Sequence, residues 1–234
     1  MTAVADSAAD RPVRFAPFLG RFAAERPSLE LTLVEAPLQR LNDLLFASHL
    51  DAAVVAYVAR PDRRLRYCRL YRERIVAVVP KGHRFEQFEV VRLRDLRDES
   101  FLLRTNCDMG DFLLESCRKQ GFEPSIVYRS AREDWVQTMI ASGFGITVMP
   151  EFTQTDVATI ARPLVDPDLV RQLSLVTVAG RRHQPATASL LRAVRAHAWH
   201  EENVPDDPER FPLMSFSKLI RSAANQAPEQ PHSG

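Results

Sequence analysis

The sequence predicts an α/β fold, and the order of its apolar patterns is the main reason. Residues 15–58 alternate between helix-like and strand-like apolar spacing, in the order helix, strand, helix, strand. Residues 100–150 repeat this alternation. Parallel strands need long crossover connections, which are usually helices, so the order indicates a parallel sheet in each stretch. The length of 234 residues suits one large domain or two small ones.

Composition and charge narrow the classes of function. The net charge of +1 gives no global attraction to nucleic acid or to an anionic membrane. Three cysteines are too few for a secreted disulfide framework. The first residues, "MTAVADSAADRPVRF", contain no apolar segment typical of a signal peptide, and no run is long enough to span a membrane. We therefore expect a cytoplasmic protein.

The individual elements follow from local periodicity. Phe15, Phe18 and Phe22, together with Leu19, lie on one face of a helix. The remaining predicted elements of the first half are a strand at 29–36, a helix after Pro37 and a strand at 51–58. Those of the second half are strands at 75–85, 100–104, 125–130, 145–150 and 172–180, a turn or short helix at 91–96, and helices at 110–120, after Ser130 and at 185–199.

Two helix ends carry specific signals. Gly121 is placed to end the helix at 110–120 in the left-handed conformation. Ser130 and Glu133 have the S-x-x-E spacing of a capping box, which predicts a helix start before Trp135. The tail at 201–234 is rich in proline and polar residues, so we expect it to be mostly disordered.

Five stretches resemble the effector-binding domain of LysR-type transcriptional regulators. They are "RFAPFLGRFAAERPSLELTLVEA", "RLNDLLFASHLDAAVV", "RERIVAVVPKGHRF", "LRDLRDESFLLR" and "SGFGITVMPE", in order over residues 13–199. The resemblance implies two doubly wound subdomains like those of type 2 periplasmic binding proteins. Subdomain I would comprise residues 1–70 plus 180–200 and subdomain II residues 71–179. A small-molecule effector would bind between them.

The resemblance also implies partners. Domains of this family pair side by side, which predicts a homodimer, or a heterodimer with a full-length relative. Family members carry an N-terminal winged helix-turn-helix, and the residues before Phe15 are too few to form one. We therefore expect no direct DNA binding by this chain. The family domain also opens with a strand, whereas "MTAVADSAAD" has low β propensity, so we expect that strand to be missing.

The turn after residue 104 is the main candidate ligand site. In open α/β sheets ligands bind outside the carboxyl ends of the strands, where helix N-termini favour anions such as carboxylates. By resemblance, this turn, the turn at Ser130 and the residues around Pro150 line the effector cleft. The predicted ligand residues are Thr105, Asn106, Cys107, Ser130 and Pro150. The simpler alternative is that Thr105 and Ser130 only cap their own helices.

Cys107 and Cys117 also allow a redox function. Peroxide-sensing members of the family use two cysteines near this place, and a thiol at a helix N-terminus has a lowered pKa. Ten helical residues rise about 15 Å, whereas a disulfide needs Cα atoms within roughly 7 Å, so a bridge would require the helix to unwind. The alternative is a cleft-lining Cys107 and a buried core Cys117.

Other classes of function receive little support from the sequence. His197 and His200 have no nearby carboxylate or cysteine to complete a metal site, so we predict no metal and no cofactor. An enzyme with Cys107 as nucleophile would need a base, and residues 84–182 contain no histidine. The missing signal peptide argues against a solute-binding protein for uptake. The sequence therefore predicts a non-enzymatic sensor domain.

Overall fold

The structure is a computed structural model that describes residues 2–7, 14–36, 38–56, 62–105, 108–166 and 168–199. The strands in these residues are β1 (Thr2–Ser7), β2 (Leu31–Ala36), β3 (Ala52–Ala56), β4 (Leu65–Pro80), β5 (Val91–Arg92), β6 (Ser100–Arg104), β7 (Ser125–Ser130), β8 (Thr147–Pro150), β9 (Thr159–Val165) and β10 (Val170–Val178). The α-helices are α1 (Phe15–Ala24), α2 (Leu38–Phe46), α3 (Asp108–Lys119), α4 (Glu133–Ala141) and α5 (Pro185–Ala196). Short 3₁₀ helices lie at Arg84–Gln87, Leu93–Leu96 and Glu151–Thr153. None of the helices in these ranges is long and apolar enough to cross a membrane.

The amino terminus forms a strand, and the prediction that this strand is missing was wrong. β1 pairs in parallel with both β2 and β3, with Thr2 opposite Leu31 and Val4 opposite Ala52. A strand between two others has backbone partners on both sides. This tertiary pairing overrides the low β propensity of its alanine and aspartate residues.

The first half of the sheet has the strand order β2-β1-β3-β10-β4, with β10 antiparallel to both of its neighbours. Helices cover both of its faces. Ala52 and Val54 pack in one core with α1 and α5, whereas Ala53 and Val55 pack in another with α2. We call these two clusters the first core. The alternation along β3 explains why its run is apolar throughout.

β4 is longer than the sequence predicted and joins the two halves of the molecule. The sequence predicts a strand at 75–85, whereas β4 begins at Leu65. The first part of β4 is not predicted because the arginines among residues 66–74 interrupt its apolar pattern. Its first part pairs with β10, and its second part pairs with β8 and β9. β9 is not predicted from the sequence, because its Arg162 and Pro163 interrupt the apolar pattern.

The second half of the molecule, which contains β5 to β9 with α3 and α4, also has helices on both faces of its strands. β6 and β7 are parallel, and β6 lies beside β8 through a parallel bridge between Phe101 and Ile146. Ile75, Ala77 and Val79 of β4 pack against α3, whereas Val76 and Val78 pack against α4. We call these two clusters the second core. The two cores confirm the predicted doubly wound α/β organisation, while the exact subdomain boundaries at 1–70 plus 180–200 and 71–179 stay a prediction.

Most of the other predicted elements are present, with shifted ends. The turn or short helix predicted at 91–96 is β5 followed by the 3₁₀ helix Leu93–Leu96. Gly121 follows α3 with a φ of 77°, which confirms its predicted left-handed conformation. The predicted disordered tail at 201–234 lies outside the described residues.

Candidate functional site

The carboxyl ends of the parallel strands in both halves converge on one short stretch of β4. Ala56, the last residue of β3, pairs with Leu173, which in turn pairs with Tyr71. Pro150, the last residue of β8, pairs with Ile75. The strand ends of the two halves therefore face each other across residues 71–75. Strand ends of this kind are where open α/β sheets bind ligands.

Two predicted ligand residues meet directly at this edge. The backbone N–H of Thr105 donates to the carbonyl of Ser130 at 2.9 Å, and both residues are half-buried. Pro150, the last residue of β8, is buried. Asn106 and Cys107 lie outside the described residues.

The predicted capping box at Ser130 is wrong. The cap position of α4 is Arg132, and the Ser130 hydroxyl accepts a hydrogen bond from the Arg132 backbone N–H at 3.1 Å. The Glu133 side chain is buried instead, and accepts a hydrogen bond from Arg104 at 2.6 Å. A buried carboxylate needs a positive partner, so Glu133 pairs with the residue that precedes Thr105 and not with the helix terminus.

Gln137 extends this polar network to the chain after Pro150. Its buried amide nitrogen donates to the carbonyl of Thr153 at 2.9 Å, and its amide oxygen accepts from the N–H groups of Thr155 and Asp156. The same amide nitrogen lies 3.4 Å from a carboxylate oxygen of Glu133. The segments at the ends of β6, β7 and β8 are thus connected through hydrogen bonds.

A buried ion pair joins the strands that cross between the two halves. Arg171 of β10 donates to Glu73 of β4 at 2.6 Å, and their side chains are 5% and 1% exposed. The second carboxylate oxygen of Glu73 accepts the backbone N–H of Phe152 at 3.1 Å. Burial raises the pKa of the nearby Tyr71 phenol, as does the negative charge of Glu73, whereas Arg171 and Arg14 oppose the rise.

An arginine at the start of α1 reaches this same place. The guanidinium carbon of Arg14 lies 3.6 Å from the centroid of the Phe152 ring. The Phe152 ring packs edge-on against Tyr71, and Tyr71 packs against Trp199, with centroids 6.0 Å apart in each case. None of these residues is predicted from the sequence, because Arg14 and Phe152, like Glu73 and Arg171, are far apart in the chain.

The second cysteine of the redox hypothesis lies in the second core. Cys117 is fully buried, and this burial raises the pKa of its thiol from 9.0 to about 11. Very little of it is therefore thiolate at neutral pH. His197 packs against the rings of Phe18 and Trp199, and no cluster of potential metal ligands occurs in the described part of the chain.

A family model described as the LysR substrate binding domain matches residues 3–199. The chain belongs to this family. This chain is 27% identical over 187 residues to YwbI, an uncharacterised HTH-type transcriptional regulator of Bacillus subtilis. The match covers 77% of this chain and 61% of YwbI. The chain spans about three fifths of the length of the first relatives that it matches, which are all transcriptional regulators.

Solved structures of LysR domains share this fold. The C-terminal domain of a probable LysR family regulator from Rhodococcus sp. RHA1 superposes with a TM-score of 0.74 at 21% identity, over 83% of this chain and 98% of that one. The reduced form of OxyR from Neisseria meningitidis gives a TM-score of 0.70 at 23% identity, over 85% of this chain and 96% of that one. The two-subdomain architecture resembling periplasmic binding proteins is therefore confirmed.

Proposed function

We propose that this LysR domain senses a small-molecule effector bound where the strand ends of the two halves meet. The observation that carries the proposal is the convergence on residues 71–75 of β4, with Thr105 hydrogen-bonded to Ser130 at its rim. The ligand residues would be Thr105, Asn106, Cys107, Ser130 and Pro150. The effector would be bound non-covalently, without a metal or cofactor and without catalysis.

The mechanism follows from where the effector would lie. A ligand that contacts residues from both halves binds best to one relative arrangement of the halves and so shifts the population toward it. β4 pairs with β10 in the first half and with β8 in the second, so this shift would bend or twist β4. In a cytoplasmic regulator, the changed arrangement would alter how paired domains space their DNA-binding partners.

The candidate ligand class is a small anion such as a carboxylate. The helix α3 begins just after Thr105, and α4 begins just after Ser130. Helix N-termini present unpaired N–H groups and a positive dipole end, which favour negative charge. Both helices start at the edge where the strand ends converge.

A ligand screen with two point variants tests this proposal. A library of small carboxylates and neutral metabolites is scanned by thermal shift, and the hits are titrated by calorimetry. We expect Thr105→Ala and Ser130→Ala to weaken a hit roughly tenfold, because each loses one polar contact worth about 1 kcal/mol or more. Thr138→Ala is the matched control, because the Thr138 hydroxyl bonds to Asp134 within α4.

Affinity that is unchanged in both site variants, or reduced as much by Thr138→Ala, would contradict the proposed site. If substitutions in the first core reduce the affinity and the two site variants do not, the protein would still sense an effector, but at another place.

The alternative function is a thiol-based peroxide sensor using Cys107 with Cys117. The similarity in fold to a reduced OxyR favours it, and the burial of Cys117 disfavours it. Intact mass with thiol counting before and after mild peroxide distinguishes the two. Loss of two thiols with a mass change of two hydrogens, mapped to Cys107 and Cys117, would support the switch. Unreactive thiols would leave effector binding as the function.

We also propose that the domain pairs with a second copy, or with a full-length relative, through its sheet edges. β2 and β7 lie at the ends of their sheets in the described residues, and both carry exposed apolar side chains. These side chains are Leu33, Val34 and Val127, and Trp135 of α4 is exposed near β7 in the chain. Open strand edges with apolar side chains are typical places of association. DNA binding would come from the partner or from a linked domain.

A further inference from the structure

We propose that the acidic segment at residues 201–209 binds, within the same chain, to the arginine-rich edge formed by residues 62–74. The acidic segment reads "EENVPDDPE", with five acidic residues and no basic one. It begins shortly after Trp199, the last residue that the structure describes. The inference assigns a partner to a surface of the first half and does not depend on which effector the domain binds.

The first part of β4 is an open edge of the sheet. Residues 65–74 pair with β10 on one side, and no other strand in the described part of the chain pairs with them. β8 and β9 pair with β4 only at residues 75–80. Proteins commonly protect such an edge with charged side chains or by covering it with another segment of the chain. This edge is therefore a surface that a further segment can cover.

The edge carries an excess of positive charge. Residues 62–74 contain six arginines and two acidic residues. Both acidic residues are paired with an arginine: Asp62 with Arg64, and Glu73 with Arg171 of β10. The neighbouring strand β10 contains no acidic residue that could offset the remaining arginines. The local charge therefore favours an acidic partner, although the whole chain is close to neutral.

Arg63 and Arg66 are the arginines on which the proposal rests. Both side chains are exposed, one in the turn before β4 and one on the strand itself. Arg69, Arg72 and Arg74 are engaged in interactions, so the proposal does not use them. Two exposed guanidinium groups at one edge can each pair with a carboxylate of a segment that passes over them.

The chain leaves the described structure on the same face of β4 as Arg66. Cys68 and Trp199 both pack against the same cluster of the first core. Side chains two residues apart on a strand share a face, so Arg66 lies on the face of Cys68. The rings of Trp199 and Tyr71 have centroids 6.0 Å apart. The acidic segment therefore starts beside the middle of β4.

The length of the acidic segment suits this path. Tyr71 and Arg66 are separated by about 17 Å along the strand, at roughly 3.3–3.4 Å per residue. The chain between Trp199 and Asp206 can span at most about 23–25 Å when it is extended. Asp206 and its neighbour Asp207 can therefore reach Arg66, and the residues that follow can reach toward Arg63.

The contact would be made by side chains and not by a further strand. Pro205 and Pro208 lack a backbone N–H, so the acidic segment cannot pair with β4 along its whole length. Single ion pairs between exposed side chains contribute little to stability. Several pairs on one tethered segment act together, and all of them weaken as salt is added. The proposal therefore predicts an intrachain contact that depends on ionic strength.

Zero-length cross-linking of the full chain tests this contact. Arg66→Lys keeps the positive charge and supplies an amine, which a carbodiimide joins to an adjacent carboxylate as an amide. Peptide mass spectrometry should find this amide at an acidic residue of segment 201–209. The yield should fall at least about threefold between roughly 0.01 M and 1 M salt, because the Debye length decreases from about 30 Å to about 3 Å.

Two further variants control the experiment. Arg129→Lys is the matched control, because Arg129 is also an exposed arginine on an edge strand, the strand β7 of the second half. It should give no link to the acidic segment. Arg63→Lys should link to the segment as well, and it decides the test if Arg66→Lys does not fold. A mixture of isotope-labelled and unlabelled chains separates links within one chain from links between two copies.

Several results would overturn the proposal. They are no link at either position, a yield that does not change with salt, or an equal yield in Arg129→Lys. Links found only between labelled and unlabelled peptides would assign the edge to a second copy of the chain. Binding of a short DNA duplex that is lost on combining Arg63→Gln with Arg66→Gln, without any link to the acidic segment, would assign the edge to a phosphate backbone instead.

Discussion

At the residue scale, the most consequential interaction is the ion pair of Glu73 and Arg171. Both charges are buried, and the pair bridges the strands that cross between the halves. Replacing a buried pair by apolar residues is often neutral, but removing one partner leaves a buried charge uncompensated. The pair therefore fixes the crossing strands and the position of Phe152 more than it adds to total stability.

We predict that Glu73→Gln lowers the free energy of unfolding by about 3–5 kcal/mol, because the buried Arg171 loses the carboxylate that it pairs with. Urea unfolding followed by circular dichroism measures the change. The matched control is Asp134→Asn, which breaks the exposed pair of Arg132 and Asp134. That variant should change stability little, since exposed ion pairs contribute little. Equal loss in the two variants would contradict the special role of the buried pair.

The Cys117 thiol predicts a pH dependence. Its pKa is raised from 9.0 to about 11 in the folded protein, so the unfolded chain loses this proton at lower pH. The stabilisation is complete below pH 9.0, decreases as pH rises, and is lost above about pH 11. The unfolding free energy of the unmodified protein should therefore decrease more steeply between these values than that of Cys117→Ala.

Urea unfolding of both proteins at about pH 8, below this range, and at about pH 10, roughly its middle, gives the comparison. Using the difference between the two proteins removes the contribution of the tyrosines, which also titrate at high pH. If the unfolding free energy changes equally with pH in the two proteins, the folded state does not raise the pKa of the Cys117 thiol.

At the element scale, the connection between α4 and β8 depends on one glycine. Gly145 has a φ of 156°, and a Cβ at this position would come within 2.3 Å of the Ser100 carbonyl oxygen. The Ile146 N–H donates to that same oxygen at 2.8 Å. The close approach of β6 to the start of β8 therefore requires glycine.

We predict that Gly145→Ala destabilises the protein by about 2 kcal/mol or more, because the backbone must shift and the new residue is strained. Gly20→Ala is the control, because Gly20 lies in α1 with open space around it. That change should stabilise by roughly 0.5–1 kcal/mol through helix propensity. Denaturant midpoints measure both, and a mild effect at Gly145 would show that β6 and β8 can separate without cost.

At the scale of the whole molecule, the two cores are joined by β4, which passes through both. β4 contributes Leu70 and Tyr71 to the first core and Ile75 and Ala77 to the second. The candidate site lies at the change from one core to the other. Such an arrangement allows the two halves to shift relative to each other while each stays packed.

We predict that Leu33→Glu shifts a dimer toward monomer by at least about tenfold in dissociation constant, since it places a charge on an apolar edge strand. Leu33 is 60% exposed on β2. Val157→Glu is the control, because Val157 is 85% exposed outside the two edge strands. Native mass spectrometry across a dilution series measures both. A monomeric unmodified protein, or equal effects of the two changes, would contradict pairing through this edge.

The types of most elements and the α/β class follow from local sequence patterns. These depend on apolar spacing within about ten residues, as in the face formed by Phe15, Phe18 and Phe22, or on one local conformation, as at Gly121. Such patterns also located the turn at Thr105 and Ser130, because strand ends and helix starts are local signals.

The amino-terminal strand and the contacts around the candidate site depend on tertiary contacts. β1 became a strand through partners at Leu31 and Ala52. Glu133 paired with Arg104, and Arg14 reached Phe152 across the two halves. These contacts join residues that are distant in the chain, and which of many arginines meets which carboxylate or ring depends on the path of the chain. Short-range periodicity carries no information about that path.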